Sequence, residues 1–172
     1  MSFEILHFRG SDKILKGKNM VKEVKNTMEY IDDVLCGSLY KRDLFRQALE
    51  EMDWRRNGSS LGILDGRRYQ YKGFKNKVAI EGNFSAYEYI LEGLLRLQIG
   101  FDKKLIETGI LLLTSKRSVK SPLGNSKDLA ISEVEDLFPT IKLPVSIVLY
   151  DLQEPEEIKE EARGNNDEAN NL

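Results

Sequence analysis

The chain has 172 residues, 41% of them apolar, and a formal net charge of −2. This length and apolar share allow one domain with a hydrophobic core, but the chain is too short for two. No run reaches the roughly 18 consecutive apolar residues of a membrane-spanning helix, and Glu4, His7 and Arg9 stand where a signal peptide would be apolar, so we expect a cytoplasmic protein. One cysteine, Cys36, and one histidine, His7, exclude an intrachain disulfide and a zinc-type ligand set, so any metal ion must be bound by oxygen.

The first third of the chain is predicted to be helical. After a short apolar opening over residues 3–6, apolar residues recur at helical spacing over residues 21–35, and Gly37 is placed to end this helix. The same spacing returns over residues 44–52 and predicts a second helix. Asn, Gly and two Ser over residues 57–60 then predict a loop.

The middle of the chain predicts a hairpin, a helix and a strand. Residues 67–83 alternate as two strands around a tight turn at Lys75 and Asn76. Ser85 and Glu88 form a capping box that would open the next helix. The predicted apolar face of this helix consists of Ile90, Leu91, Leu94, Leu95 and Ile99. The nearly continuous apolar run over residues 105–115 is typical of a strand covered on both faces.

The last part of the chain predicts a helix over residues 128–138, a strand over residues 145–150 and an acidic tail. The element order indicates an α/β fold, a mixed central sheet flanked by helices on both faces. Residues 151–172 carry a net charge of −6 and little to bury, so we predict a disordered tail after a domain over residues 1–150. The domain carries +4, which permits a polyanionic partner but equally suits an ordinary solvated surface.

Two polar residues at the end of the second hairpin strand are candidate site residues. In VAIEGN, Glu81 and Asn83 are two positions apart, so they lie on one side of the strand. A nuclease that hydrolyses phosphodiesters with Mg²⁺ needs oxygen ligands fixed on rigid backbone beside a group that orients water. Without further support, Glu81 is more simply a solvated charge at a strand end.

The segment YQYKGFKNKVAIEGNFSAYEYILEGLLRLQ, residues 69–98, resembles the active-site hairpin and following helix of the BglII-like type II restriction endonucleases, a branch of the PD-(D/E)XK nucleases. The strand in ETGILLLTSKR, the strand after Pro144, and Ile14 and Leu15 before an amphipathic helix match the same family in the same order. The resemblance implies a restriction-endonuclease-like core, Mg²⁺ as the cofactor of an active enzyme, and double-stranded DNA as the partner.

By the resemblance, Glu81 is the metal-binding glutamate and Asn83 the polar residue that orients water. The family's aspartate, nine positions before the glutamate, falls on Lys72, whose ammonium cannot bind Mg²⁺. With a turn at Lys75 and Asn76, Lys72 would lie opposite Ala79, close enough to Glu81 for a cross-strand ion pair.

Other acidic residues are possible substitutes for the missing aspartate. Asp65 would reach the site only through a bulge or a chain reversal at the turn that it forms with Gly66. Glu50 or Glu51 on the second helix is a further possible ligand, by analogy with related nucleases.

Basic residues on the hairpin are candidate DNA contacts, since phosphates are bound by lysine and arginine. They are Arg67, Arg68, Lys75 and Lys77, with Lys72 and two tyrosines between them; Lys116, Arg117 and Lys120 in a later loop form a second group. Basic hairpins are also simply soluble. Trp54 is interpreted as part of the core edge.

Three functions follow. The leading interpretation is a homologue of these endonucleases that acts on double-stranded DNA with a degenerate metal site, so that cleavage is weak or lost. The alternatives are an active Mg²⁺ endonuclease using Asp65 or a helix glutamate, and a retired nuclease scaffold that binds protein. The resemblance also implies a homodimer, because a symmetric cut needs two related sites.

Overall fold

The computed structural model of the protein describes residues 2–56, 58–84, 89–115 and 126–153. Among these residues there are five strands and five α-helices. They are β1 (Phe3–Phe8), α1 (Ser11–Gly17), α2 (Val21–Leu35), α3 (Lys41–Glu51), β2 (Gly73–Lys75), β3 (Val78–Asn83), α4 (Ile90–Asp102), β4 (Thr108–Thr114), α5 (Ser126–Asp136) and β5 (Val145–Tyr150). Among the described residues, no helix has the length and apolarity needed to cross a bilayer.

The strands form one mixed sheet in the order β1-β5-β4-β3-β2. The three inner strands are parallel, whereas β1 and β2 run antiparallel to their neighbours at the two edges. The inner strands are apolar and buried almost throughout, as expected where helices cover both faces of a sheet.

Two hydrophobic cores lie on opposite faces of the sheet. Because side chains alternate along a strand, Ile110 and Leu112 face α2 and α3, while Leu111 and Leu113 face α4 and α5. We call the core covered by α2 and α3 the first core. Trp54, just after α3, is fully buried in it, and its Nε1 donates to Thr27 Oγ1 at 3.0 Å. The predicted α/β architecture with helices on both faces is confirmed.

The hairpin turn lies one residue later than the sequence suggested. Asn76 and Lys77, with φ of 47° and 59°, are its central residues, as a tight turn with two left-handed residues requires. Gly73 pairs with Ile80, and continuing this register places Lys72 opposite Glu81. The predicted pairing of Lys72 with Ala79 is therefore wrong, although the shift of two positions keeps Lys72 and Glu81 on one side.

The buried face of α4 differs from the predicted one. Leu91 and Leu95 are about half exposed, whereas Gly93, Leu97 and Gln98 are buried. The helix packs through its glycines, because a Cβ at Gly93 would meet the Leu111 side chain at 2.4 Å. The spacing of the apolar residues does not show that the helix turns Gly93, rather than Leu91 or Leu95, toward the sheet. The capping box at Ser85 and Glu88 lies outside the described residues.

Candidate functional site

Glu81, near the end of β3, is fully buried rather than solvated. Ala79, two positions before Glu81 on β3, packs in the core that α4 covers, so alternation along the strand places Glu81 on the same face. Arg96 of α4 forms an ion pair with it, with 3.0 Å between Arg96 Nε and Glu81 Oε1. Lys72 was the expected partner of Glu81, but among the described residues Glu81 forms its ion pair with Arg96.

The charge state of this pair follows from burial and the cations around it. Burial raises the pKa of the Glu81 carboxyl, and the charge and hydrogen bond of Arg96 and the charge of Lys72 oppose that rise. Burial works to lower the pKa of Arg96, but the attraction and hydrogen bond of Glu81 outweigh it and raise that pKa overall. Burial also raises the pKa of Tyr89 to about 12, helped by the negative charge of Glu81.

Two arginines hold the chain segment that leads into the hairpin. Arg96 Nη2 donates to the Gln70 carbonyl at 2.6 Å, and Arg55 Nη1 donates to the Lys72 carbonyl at 2.7 Å. Both side chains are mostly buried, 18% and 12% exposed. Tyr71 between them is buried and donates its hydroxyl proton to the Arg96 carbonyl at 3.0 Å. The segment is thereby fixed between α4 and the turn after α3.

A cleft of about 620 Å³ opens beside this segment and is bounded by α3, the end of β3 and α4. Asn83, Phe84 and Tyr69 contribute to its wall. Its lining has six basic side chains against one acidic side chain, Asp43, a formal excess of five positive charges. The basic residues are Arg42, Arg46, Arg55, Arg68, Lys72 and Arg96. Such an arrangement attracts anions with several oxygen atoms, phosphate above all.

The carboxylates do not assemble a metal site within the described residues. No group of three or more His, Cys, Asp or Glu side chains there is arranged to hold a metal ion. Glu81 Oε2 is buried without a hydrogen-bond partner among these residues, but one free oxygen is far short of the six ligands that Mg²⁺ prefers. Arg96 and Lys72 add positive charge beside that oxygen. The residues present therefore do not fit the expected Mg²⁺.

The acidic substitutes suggested for the missing aspartate lie elsewhere. Asp65 is exposed in a turn closed by the hydrogen bond from Arg67 N to Leu64 O, and it does not line the cleft. Glu51 hydrogen-bonds Tyr30 and lines a different, open cavity of about 450 Å³.

Glu50 lies nearer the cleft, but its carboxylate pairs with Arg46 at 3.1 Å and Arg55 at 3.8 Å. The chain does reverse at Asp65 and Gly66, since Gly62 and Gln70 form an antiparallel bridge, but Asp65 lies exposed in this turn and does not line the cleft.

The basic residues predicted to contact DNA do not form one cluster. Arg68 lines the cleft, but Arg67 and Lys77 are exposed outside its lining. Lys75 pairs with Glu23 and stands 5.7 Å from the Trp54 ring, on the face of the sheet covered by α2. Of these four residues only Lys75 lies on a strand, whereas Arg67 and Arg68 precede β2 and Lys77 lies in the hairpin turn, so no common strand face gathers them. Lys116, Arg117 and Lys120 lie outside the described residues.

Four arginines that line the cleft were not among the site residues predicted from the sequence. Arg42 and Arg46 are one turn apart on α3, a spacing that puts both on one helix face. Arg96 is the one basic residue of the apolar helix ILEGLLRLQIGFD, and a lone charge on such a helix is a usable signal for a buried partner. Arg55 carried no signal, since it sits in an irregular segment beside a second arginine.

Comparison with known proteins identifies structural relatives only. No protein-family model matches the chain, and no curated protein matches it. A crystal structure of the restriction endonuclease BglII complexed with a DNA 16-mer is similar, with 14% identity, a TM-score of 0.60, and coverage of 89% of this chain and 78% of that one. Free BglII is similar over 90% of this chain and 80% of its own, with 17% identity and a TM-score of 0.56. These values show a restriction-endonuclease-like fold.

Proposed function

We propose that the protein binds double-stranded DNA through the basic cleft and that its degenerate metal site leaves it with weak or no cleavage activity. One observation carries the proposal: six basic side chains line a cleft that Asn83 also lines, and one of them, Arg96, pairs with the buried Glu81. Glu81 and Asn83 match the catalytic strand of the resembling endonucleases. Phosphate contacts supply most of the sequence-independent affinity for DNA, so a cleft of this charge suits the duplex backbone. One of the similar solved structures, BglII, was crystallised with DNA.

A salt titration of duplex binding tests the proposal. The variant Arg42→Gln/Arg68→Gln removes two cleft charges that have no ion-pair partner among the described residues, and Lys13→Gln removes an exposed charge from α1 outside the cleft. We expect the cleft variant to lower affinity at low salt and to reduce the slope of log K against log salt by about 2, while Lys13→Gln leaves both unchanged. Equal slopes for the two variants, or no duplex binding by the wild type, would contradict the proposal.

Plasmid cleavage tests the degenerate metal site. We expect wild-type protein to nick supercoiled DNA little with Mg²⁺, and Mn²⁺, which tolerates imperfect geometry, is the condition most favourable to residual activity. Brisk cleavage with Mg²⁺ that Glu81→Gln abolishes would establish an active nuclease. If Asp65→Asn also abolished it, Asp65 would be the missing ligand, the alternative that its exposed position outside the cleft does not favour.

The same proposal includes a twofold homodimer, because two related sites would face the two strands of a duplex. Sedimentation velocity at tens of micromolar protein, with and without duplex DNA, should give the mass of two chains. A monomer under both conditions would remove this part of the proposal without affecting the cleft. Binding of a protein partner, with no affinity for DNA, would favour the third interpretation.

A further inference from the structure

The Glu81 carboxylate already has a cationic partner within the chain. Arg96 is fixed at both ends of its guanidinium, by Glu81 at 3.0 Å and by the Gln70 carbonyl at 2.6 Å. A metal ion at Glu81 would have to share a buried site with this cation or displace it. Coulomb repulsion opposes the first arrangement, and the loss of a hydrogen-bonded buried pair opposes the second.

The cations around the cleft exceed what its carboxylates neutralise. Arg55 is anchored on the Lys72 carbonyl, and its buried Nε has no hydrogen-bond partner among the described residues. Its nearest carboxylate, Glu50, is shared with Arg46. Lys72 lies opposite Glu81 in the hairpin register and forms no ion pair within 4.0 Å among the described residues. Positive charge is thus available to an incoming anion.

We infer that the cleft binds a phosphate group directly through Arg55, Lys72 and Arg96, without a divalent metal ion. The two guanidinium groups are held in place before the ligand arrives, so little side-chain entropy is lost on binding, and their planar forks match phosphate oxygens. Lys72, on the segment whose carbonyls the two arginines hold, adds a third positive charge to the cleft lining. The ligand class is a phosphate oxyanion, either free or within the backbone of duplex DNA; the second source rests on the proposed function.

Thermal unfolding with inorganic phosphate tests the site without DNA. In EDTA, with chloride adjusted to constant ionic strength, about 20 mM phosphate should raise the Tm of the wild type by about 2 to 4 °C. Lys72→Gln should lose this rise and Lys72→Arg should keep it. Lys77→Gln, an exposed lysine of the same hairpin outside the cleft, should behave as the wild type. No rise in the wild type, or equal rises in Lys72→Gln and Lys77→Gln, would overturn the inference.

Duplex binding with and without metal separates this inference from the proposed function. At matched ionic strength, affinity in EDTA and in Mg²⁺ should agree within about twofold, and Lys72→Gln should lower both by about fivefold or more. Binding that requires Mg²⁺ would overturn the inference and leave the proposed function standing. A phosphate response that depends on Lys72, without any duplex binding, would support the inference and reject the proposed function.

Discussion

Glu81 and Arg96 form a buried ion pair in which the Glu81 carboxylate depends on the Arg96 guanidinium for its charge. A buried ion pair contributes little net stability compared with an apolar pair, but removing one partner leaves the other charge uncompensated in a low-dielectric site. Burial already holds the pKa of Glu81 above its usual value, and Arg96 limits that rise. The pair therefore makes stability depend on pH in a way that single substitutions can reveal.

Arg96→Met should destabilise the protein by about 3 kcal/mol at pH 8 and by less at pH 5. A carboxyl whose pKa is raised in the folded state binds a proton more tightly there than in the unfolded chain. Its contribution to stability is therefore largest below the ordinary value of 4.5 and is lost as pH rises through the folded value. Removing Arg96 raises the pKa of Glu81 in the folded state further, so the stability that is lost as pH rises becomes larger. Urea unfolding of the wild type and Arg96→Met at pH 5 and pH 8 measures the difference in their free energies of unfolding.

The double variant Glu81→Gln/Arg96→Met is the control for this effect, since it removes the buried carboxyl as well. Its stability relative to the wild type should vary less between pH 5 and pH 8 than that of Arg96→Met alone. An equal penalty for Arg96→Met at both pH values would mean that Glu81 is not the titrating group.

Lys72→Asp alone should create little affinity for a divalent ion, although it places an acidic residue opposite Glu81. Arg96 would still occupy the Glu81 carboxylate and repel the metal ion. Adding Arg96→Gln, which keeps a donor for the Gln70 carbonyl, should raise Mn²⁺ affinity by about tenfold or more. Calorimetry with Mn²⁺ compares the two variants, with Glu81→Gln in the double background as the control. Strong binding by Lys72→Asp alone would show that Arg96 does not block the site.

At the scale of elements, α4 is the part of the fold that positions the cleft. It carries Arg96, and it receives the buried Tyr71 side chain against Gly100. A Cβ at Gly100 would lie 1.9 Å from the Tyr71 hydroxyl oxygen, so only glycine allows this close approach of the hairpin entry to the helix. Displacing Tyr71 would move the segment that Arg55 and Arg96 hold.

Gly100→Ala should therefore cost about 1 to 3 kcal/mol, as expected for overpacking in a dense core, and should weaken duplex binding as well. Gly17→Ala at the end of α1 is the matched control, because nothing lies within 4 Å of its added Cβ. That change should alter the free energy of unfolding by no more than about 0.5 kcal/mol. Denaturant titration of both variants measures the difference. Similar small effects would show that Tyr71 can move without cost.

At the scale of the whole molecule, charge is divided between the domain and the end of the chain. Residues 154–172 hold seven acidic and two basic side chains, a net charge of −5, so the chain without them carries +3. Leu152 is buried in the first core, which places the end of the packed domain beyond the predicted boundary at residue 150. A truncation intended to leave the core intact must therefore begin after Gln153.

Removing residues 154–172 should tighten duplex binding several-fold at low salt and leave the Tm unchanged within about 1 °C. An acidic segment tethered to a basic cleft competes with DNA at high effective concentration, and salt screens this competition. A full-length variant with the seven acids changed to amides separates charge from length and should bind as the truncated protein does. Affinity that is the same for all three proteins would exclude this competition.

The sequence by itself determined the main elements of the fold. Residues 145–150 form β5 as predicted, and the apolar run over residues 105–115 contains β4, because burial on both faces leaves an almost uninterrupted apolar pattern. The period of the apolar residues also located α2 and α3. These signals are local, since each depends on residues a few positions apart.

Only the tertiary structure decided the chemistry of the site. Glu81 and Arg96 are 15 residues apart on different elements, and neither the burial of the carboxylate nor its pairing follows from the spacing within either element. Arg42 and Arg55 join them from α3 and the turn after it, while Lys75 faces away. The energy of a charge depends on its distance from other charges and from water in three dimensions, and the linear pattern of residues does not contain those distances.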